Sequence, residues 1–236
     1  MVPLPLTDHI RRRSFWTITL ALIIANVCVF LFELAQGRGI NQLVFLYGVV
    51  PARYVGLHVH GFKNLTLGGF FVPVLASMFL HGGWLHLLGN MLFLFVFGRS
   101  VEDRYGHLKF LMLYLLSGFA GATLHILLNA GSRLPSIGAS GAIAGVLGAY
   151  FICFPRARIT TLFFLIFFFW RVELPAIVLL GYWFLIQFVT GYATLSIQSA
   201  TGGGVAWWAH VGGFLTGLVL ALILEPVHRG AVIEVQ

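Results

Sequence analysis

Long uncharged or nearly uncharged apolar runs alternate along the chain with short segments that hold most of its charges, and each run approaches the ~20 residues a helix needs to cross a bilayer core. They lie at about 15–35, 79–98, 108–129, 138–154, 174–191 and 205–224. This pattern predicts an all-α membrane protein, a bundle of six transmembrane helices flanked by tails at 1–14 and 225–236. The first run follows Arg11-Arg12-Arg13 as a signal peptide would, yet it is too long and no A-x-A-like site follows, so it is expected to stay as the first helix. Two apolar stretches fit no span. Residues 37–78 mix Arg38, Arg53, Lys63, Gly and Pro with Phe, Leu and Val, and read as a long first outer loop with short interfacial helices. Ile159–Trp170, bounded by Arg158 and Arg171, is short enough to favour an interfacial or re-entrant segment.

Composition sharpens this picture. The 236 residues are 59% apolar and 9% charged, against roughly a quarter charged in soluble domains, so the expected environment is a lipid bilayer. The formal charge of +7 comes from Lys and Arg spread among the short loops, which suits anionic lipid and topology rather than nucleic acid. One side of the six-helix arrangement collects Arg11, Arg12, Arg13, Arg99, Arg104, Lys109, Arg156, Arg158, Arg171 and Arg229; the other has Arg38, Arg53, Lys63 and Arg133. Both termini are therefore expected in the cytoplasm, with the protein in a cell membrane and loops 36–78, 130–137 and 192–204 outside. Cys28 and Cys153 lie singly in apolar runs and read as small buried hydrophobes. No sequence signal bears on oligomeric state.

Polar groups inside spans are costly and mark candidate sites. The second run carries His81, His86 and Asn90 in HGGWLHLLGN, with His86 and Asn90 at i, i+4 on one face. The fourth opens on Gly138-Ala139-Ser140-Gly141, and the sixth holds His210 in WWAHVGG. Each has a structural reading: Ser140 as a helix cap in a small-residue packing face, and the histidines as interhelical hydrogen-bonders. The topology, however, places all three groups toward the outer face, where they can meet. Gly213 and Gly217 on the sixth helix and Gly141, Gly145 and Gly148 on the fourth let two backbones approach closely, bringing Ser140 within reach of His210. The seven acidic residues are Asp8, Glu33, Glu102, Asp103, Glu173, Glu225 and Glu234, and no motif puts one beside His210. A Ser-His dyad is thus expected, with the imidazole oriented by packing or another polar group. The free N–H groups at the start of the fourth helix, with His86 and Asn90, are candidate oxyanion donors.

GASG, AHVGG and HGGWLHLLGN in this topology, with VEDRYG at the inner end of the second helix, resemble the rhomboid family of intramembrane serine proteases over roughly residues 45–224. The resemblance implies a six-helix protease domain at 15–224 that is open to water from outside. It implies cleavage, without metal or cofactor, of a peptide bond in or near the transmembrane segment of a membrane-protein substrate. By the same resemblance Ser140 is the nucleophile and His210 the general base. His86, Asn90 and the Ser140 backbone form the oxyanion hole, with His81 nearby and Gly138 shaping the substrate-binding loop, and the fifth helix is a plausible lateral gate. Two positions depart from the family pattern. Ala144 stands where several relatives stack an aromatic on the base, and a Trp-Arg pair of the first outer loop is missing from the stretch before His81. The alternatives are an inactive factor of the same fold that escorts transmembrane clients, and a haem-binding or ion-translocating bundle suggested by the nine histidines, among them His125, His58 and His60.

Overall fold

A computed structural model describes residues 3–54, 67–165, 168–195, 205–227 and 232–233. His58, His60, Lys63, Arg229 and most of the 192–204 loop lie outside the described residues. The chain opens with strands β1 (Leu4–Asp8) and β2 (Ile10–Arg11), followed by helix α1 (Thr17–Ala35), α2 (Ile40–Tyr47) and α3 (Leu67–Ser77). Then come α4 (Trp84–Tyr105), α5 (His107–Leu128), α6 (Ser140–Cys153), strands β3 (Arg158–Leu165) and β4 (Phe168–Pro175), α7 (Ala176–Leu195), α8 (Trp207–Ile223) and β5 (Val232–Ile233). Among the described residues four helices, α1, α4, α5 and α7, are long and apolar enough to cross a membrane, while α6 and α8 are shorter apolar helices. Their outward faces carry exposed Ile24 and Leu31 on α1, Leu116 and Leu127 on α5, and Leu185 and Val189 on α7, as lipid-facing surfaces do. Cys28, expected in the core, is exposed on this outer surface of α1, where lipid offers a thiol much the same apolar surroundings.

The centre of the bundle is α6. Every residue from Gly141 to Tyr150 is buried, and α8 packs along α6 more extensively than any other helix pair, with α5 against both. The small residues explain this approach: a Cβ on Gly213 or Gly217 would collide with the backbone carbonyls of Gly141 and Gly145. Without side chains in the seam, α6 and α8 meet backbone to backbone.

One end of the bundle is tied together by three acids that sequence reasoning left without a role. The Glu102 carboxylate accepts the Ile18 and Thr19 N–H groups at 2.8 and 2.7 Å, and Asp103 accepts the N–H groups of Arg13 and Ser14 at 3.0 and 2.7 Å. The Glu102 carboxylate caps the start of α1, where the free amides and the positive end of the helix dipole favour negative charge, and Asp103 holds the segment just before the helix. Asp8 is buried, paired with Arg12, and accepts the Ser100 and Tyr150 hydroxyls. The VEDRYG stretch is thus a structural clasp.

The described residues of the Ile159–Trp170 stretch form strands. β3 and β4 pair antiparallel from Arg158 opposite Pro175 to Leu165 opposite Phe168, and β1 adds antiparallel to β3 in a three-stranded sheet. The 1–14 segment, expected as a simple tail, therefore contributes a strand. Ile, Thr and Phe dominate β3, and such β-branched and aromatic residues favour strands. In the 36–78 region α2 and α3 are present, and α3 packs on both α2 and α5.

Candidate active site

Ser140 is the first residue of α6, and the backbone before it is held by two segments. Val49 and Ser136 exchange N–H···O bonds of 3.0 and 2.8 Å, and the Gly138 N–H bonds the Ser77 carbonyl at 2.8 Å. Gly138 adopts φ +125°, a conformation that disfavours any side chain, and a Cβ there would lie 2.7 Å from His86 Nε2. Glycine is therefore required both by backbone and by the imidazole above it. As the helix starts at Ser140, its first amides have no acceptor within the helix.

His210 sits in the first turn of α8, buried, with Nε2 2.7 Å from Ser140 Oγ. Its other nitrogen, Nδ1, lies 2.7 Å from Gln187 Oε1 on α7. The indole of Trp183, one turn before Gln187, lies 5.8 Å from the imidazole at an interplanar angle of 38°, and Trp207 presents its edge at 6.3 Å. These groups answer what braces His210 when position 144 is alanine. Ala144 is fully buried in the α6–α8 seam, where a Cβ on Gly213 would already reach it at 3.4 Å, so the bracing aromatics come from α7 and α8 instead.

α4 supplies the amide and a second imidazole. His86 and Asn90 share one face of that helix, whereas His81 stands in the turn before it and not on the helix as expected. Helix α4 starts only at Trp84, because Gly82 and Gly83 interrupt the run and Gly83 takes φ +151°. The Gly82 N–H donates to His86 Nδ1 at 3.3 Å, so the ring proton belongs on Nε2, the atom that faces Gly138 and the start of α6. His81 Nδ1 faces the Phe79 carbonyl at 3.1 Å and its Nε2 faces Asn90 Nδ2 at 3.0 Å. The carbonyl only accepts, so Nδ1 carries the proton and Nε2 accepts from the amide, which fixes the amide's orientation. The Glu33 carboxylate, fully buried on α1, in turn accepts the His81 N–H at 3.1 Å.

Ser140, His210, His86 and Asn90 line one cavity of about 700 Å³, walled by α4 on one side and by Trp183 and Gln187 of α7 on another. A hydroxyl bonded to a histidine nitrogen, with amide and imidazole donors across the cavity, can carry out acyl transfer. Sequence reasoning missed Gln187. Its signal was an amide within an apolar helix, a group that lipid alone would not tolerate at low cost. His125 stands apart from this cavity's walls and bonds Asn129, the residue that closes its helix, at 3.2 Å.

The Rhomboid domain profile matches residues 69–226. The chain is 28% identical over 241 residues to RHOMBOID-like protein 6, mitochondrial, of Arabidopsis thaliana, covering 91% of this chain and 71% of that protein. It is 33% identical over 190 residues to Rhomboid protein 1, mitochondrial, of Saccharomyces cerevisiae, covering 77% of this chain and 50% of that one. It is 40% identical over 87 residues to Rhomboid protease GluP of Bacillus subtilis, covering 37% and 17% of the two chains. Apart from the first of these three, the chain spans half or less of the relative's own length. With the family profile matched over more than half of its length, the chain belongs to the rhomboid family.

Proposed function

We propose that the protein is an intramembrane serine endopeptidase acting on transmembrane protein substrates through a Ser140–His210 dyad. The observation that carries this reading is the 2.7 Å contact between Ser140 Oγ and His210 Nε2, on a cavity that also presents His86 and Asn90. In the proposed reaction Oγ attacks the substrate carbonyl carbon as its proton passes to Nε2. The resulting oxyanion takes hydrogen bonds from the Ser140 N–H, His86 Nε2–H and an Asn90 Nδ2–H. Collapse expels the amine, which takes the proton from Nε2. A water then gives its proton to His210 and attacks the acyl-enzyme ester, and the acid product leaves with Oγ reprotonated.

In this reading α1 and α4 to α8 are six spans and both termini face the cytoplasm. Helix α6, with 14 residues, rises only ~21 Å, short of a ~30 Å hydrocarbon core, so its serine end lies below the membrane surface. A substrate helix must unwind to present an extended bond to Ser140, and small or helix-breaking residues near its outer end lower that cost. Exposed Tyr182, Leu185 and Val189 on α7, beside the cavity wall made by Trp183 and Gln187, fit a lateral entry between α4 and α7. The test is cleavage of a single-span substrate in liposomes by wild type, Ser140→Ala and His210→Ala. Wild type cleaves, and both variants stay folded but inactive; cleavage by Ser140→Ala at the wild-type rate would refute the reading.

A further inference from the structure

We propose that Gln187 is a positioning residue, whose side-chain carbonyl holds His210 in the tautomer and ring orientation that the dyad needs; the inference rests on the serine-protease reading. A neutral imidazole carries one proton. If it sits on Nε2, that atom cannot receive the Ser140 proton, and the base is disabled. The 2.7 Å approach of Gln187 Oε1 to Nδ1 favours the proton on Nδ1, because a carbonyl oxygen can only accept. Nε2 is then left bare, 2.7 Å from Ser140 Oγ. When His210 is protonated during the reaction, the same oxygen continues to accept from Nδ1–H, and its dipole stabilises the imidazolium.

Burial makes the contact decisive. Gln187 and His210 are each 7% exposed, so a water that replaced the acceptor from the cavity side would have to be ordered in a nearly closed space. Trp183, one turn earlier on α7, limits ring tilt, but an indole face offers Nδ1–H no carbonyl oxygen. The described acidic residues stand elsewhere: Glu33 at His81, Asp8, Glu102 and Asp103 at the α1 end, Glu173 at Arg158, and Glu225 past the far end of α8 from His210. The amide thus occupies the place that a carboxylate fills in a triad, without placing a charge in the bilayer. Since it is carried by α7, the alignment of the base depends on where α7 stands.

The experiment compares the rate at which a fluorophosphonate labels Ser140 in wild type, Gln187→Met and Gln187→Glu, together with kcat and KM on a single-span substrate. Methionine keeps the size and removes the acceptor; glutamate keeps the reach and the acceptor. Gln187→Met is expected to label and turn over about 10- to 100-fold more slowly with KM little changed, and Gln187→Glu to recover most of that loss. Wild-type labelling by Gln187→Met, or a Gln187→Glu protein as slow as Gln187→Met, would overturn the proposal. ¹⁵N histidine spectra of wild type, assigned by comparison with His210→Ala, give a second test that needs no Gln187 variant. A protonated Nδ1 and bare Nε2 are expected, and the opposite tautomer would overturn it. If wild type itself fails to label, the serine-protease reading fails first.

Discussion

Replacing Gly213 by alanine tests whether the close approach of α6 and α8 is what makes the dyad. The added Cβ would overlap the Gly141 carbonyl oxygen and stand 2.9 Å from its carbon, with the Ala144 Cβ at 3.4 Å. Backbone cannot rotate aside, so the helices must part by well over an ångström. The strain falls beside the site, because Gly141 follows Ser140 and Gly213 lies one turn after His210. A 2.7 Å hydrogen bond stretched by that much is no longer one. Overpacking of this kind costs about 1–3 kcal/mol of stability, and an ångström of misplacement about 100-fold in rate. Measured on a single-span substrate, kcat of Gly213→Ala should fall by about that factor, while thermal melting in detergent drops only several degrees. Gly181→Ala on α7 is the control, since a Cβ there meets only the Phe151 ring edge at 3.8 Å, and it should leave activity unchanged. Wild-type kcat in Gly213→Ala would show that the dyad does not depend on the close approach of α6 and α8.

Two further outcomes follow from the geometry. Asn90→Ala removes the amide that His81 orients, and should lower kcat by about 10²- to 10³-fold with little change in KM, as loss of an oxyanion donor does; a pure KM effect would place Asn90 in substrate binding instead. Glu102→Ala strips the caps from Ile18 and Thr19, and should cost about 1–3 kcal/mol in stability with activity per folded molecule preserved, read by melting and by active-site titration.

The parts of the molecule that the sequence exposes are those where polarity conflicts with lipid. Ser140, His210, His86 and Asn90 interrupt apolar runs, and the helices bring them onto one cavity because glycines at 141, 145, 213 and 217 carry no side chains into the seam. Gln187 obeys the same rule, but one amide among the large apolar residues of α7 has no companion in sequence; its partner is 23 positions away on another helix. The sheet was hidden for a different reason. Leu4–Asp8 and Arg158–Leu165 pair across most of the chain, and neither the short β1 nor the apolar stretch through Trp170 shows the apolar-polar alternation of a half-exposed strand. The acids, too, had positions but no roles: Glu102 acts on α1 and Asp103 on the segment before it through backbone amides, which leave no trace in side-chain patterns.

In the proposed reaction Ser140 is a nucleophile because His210 can take its proton. Mapping the fluorophosphonate adduct by mass spectrometry in wild type, Ser140→Ala and His210→Ala tests it without knowledge of a substrate. An adduct on Ser140 in wild type and on neither variant is expected; labelling that persists in Ser140→Ala, or is undiminished in His210→Ala, would show that the pair is not the reactive centre.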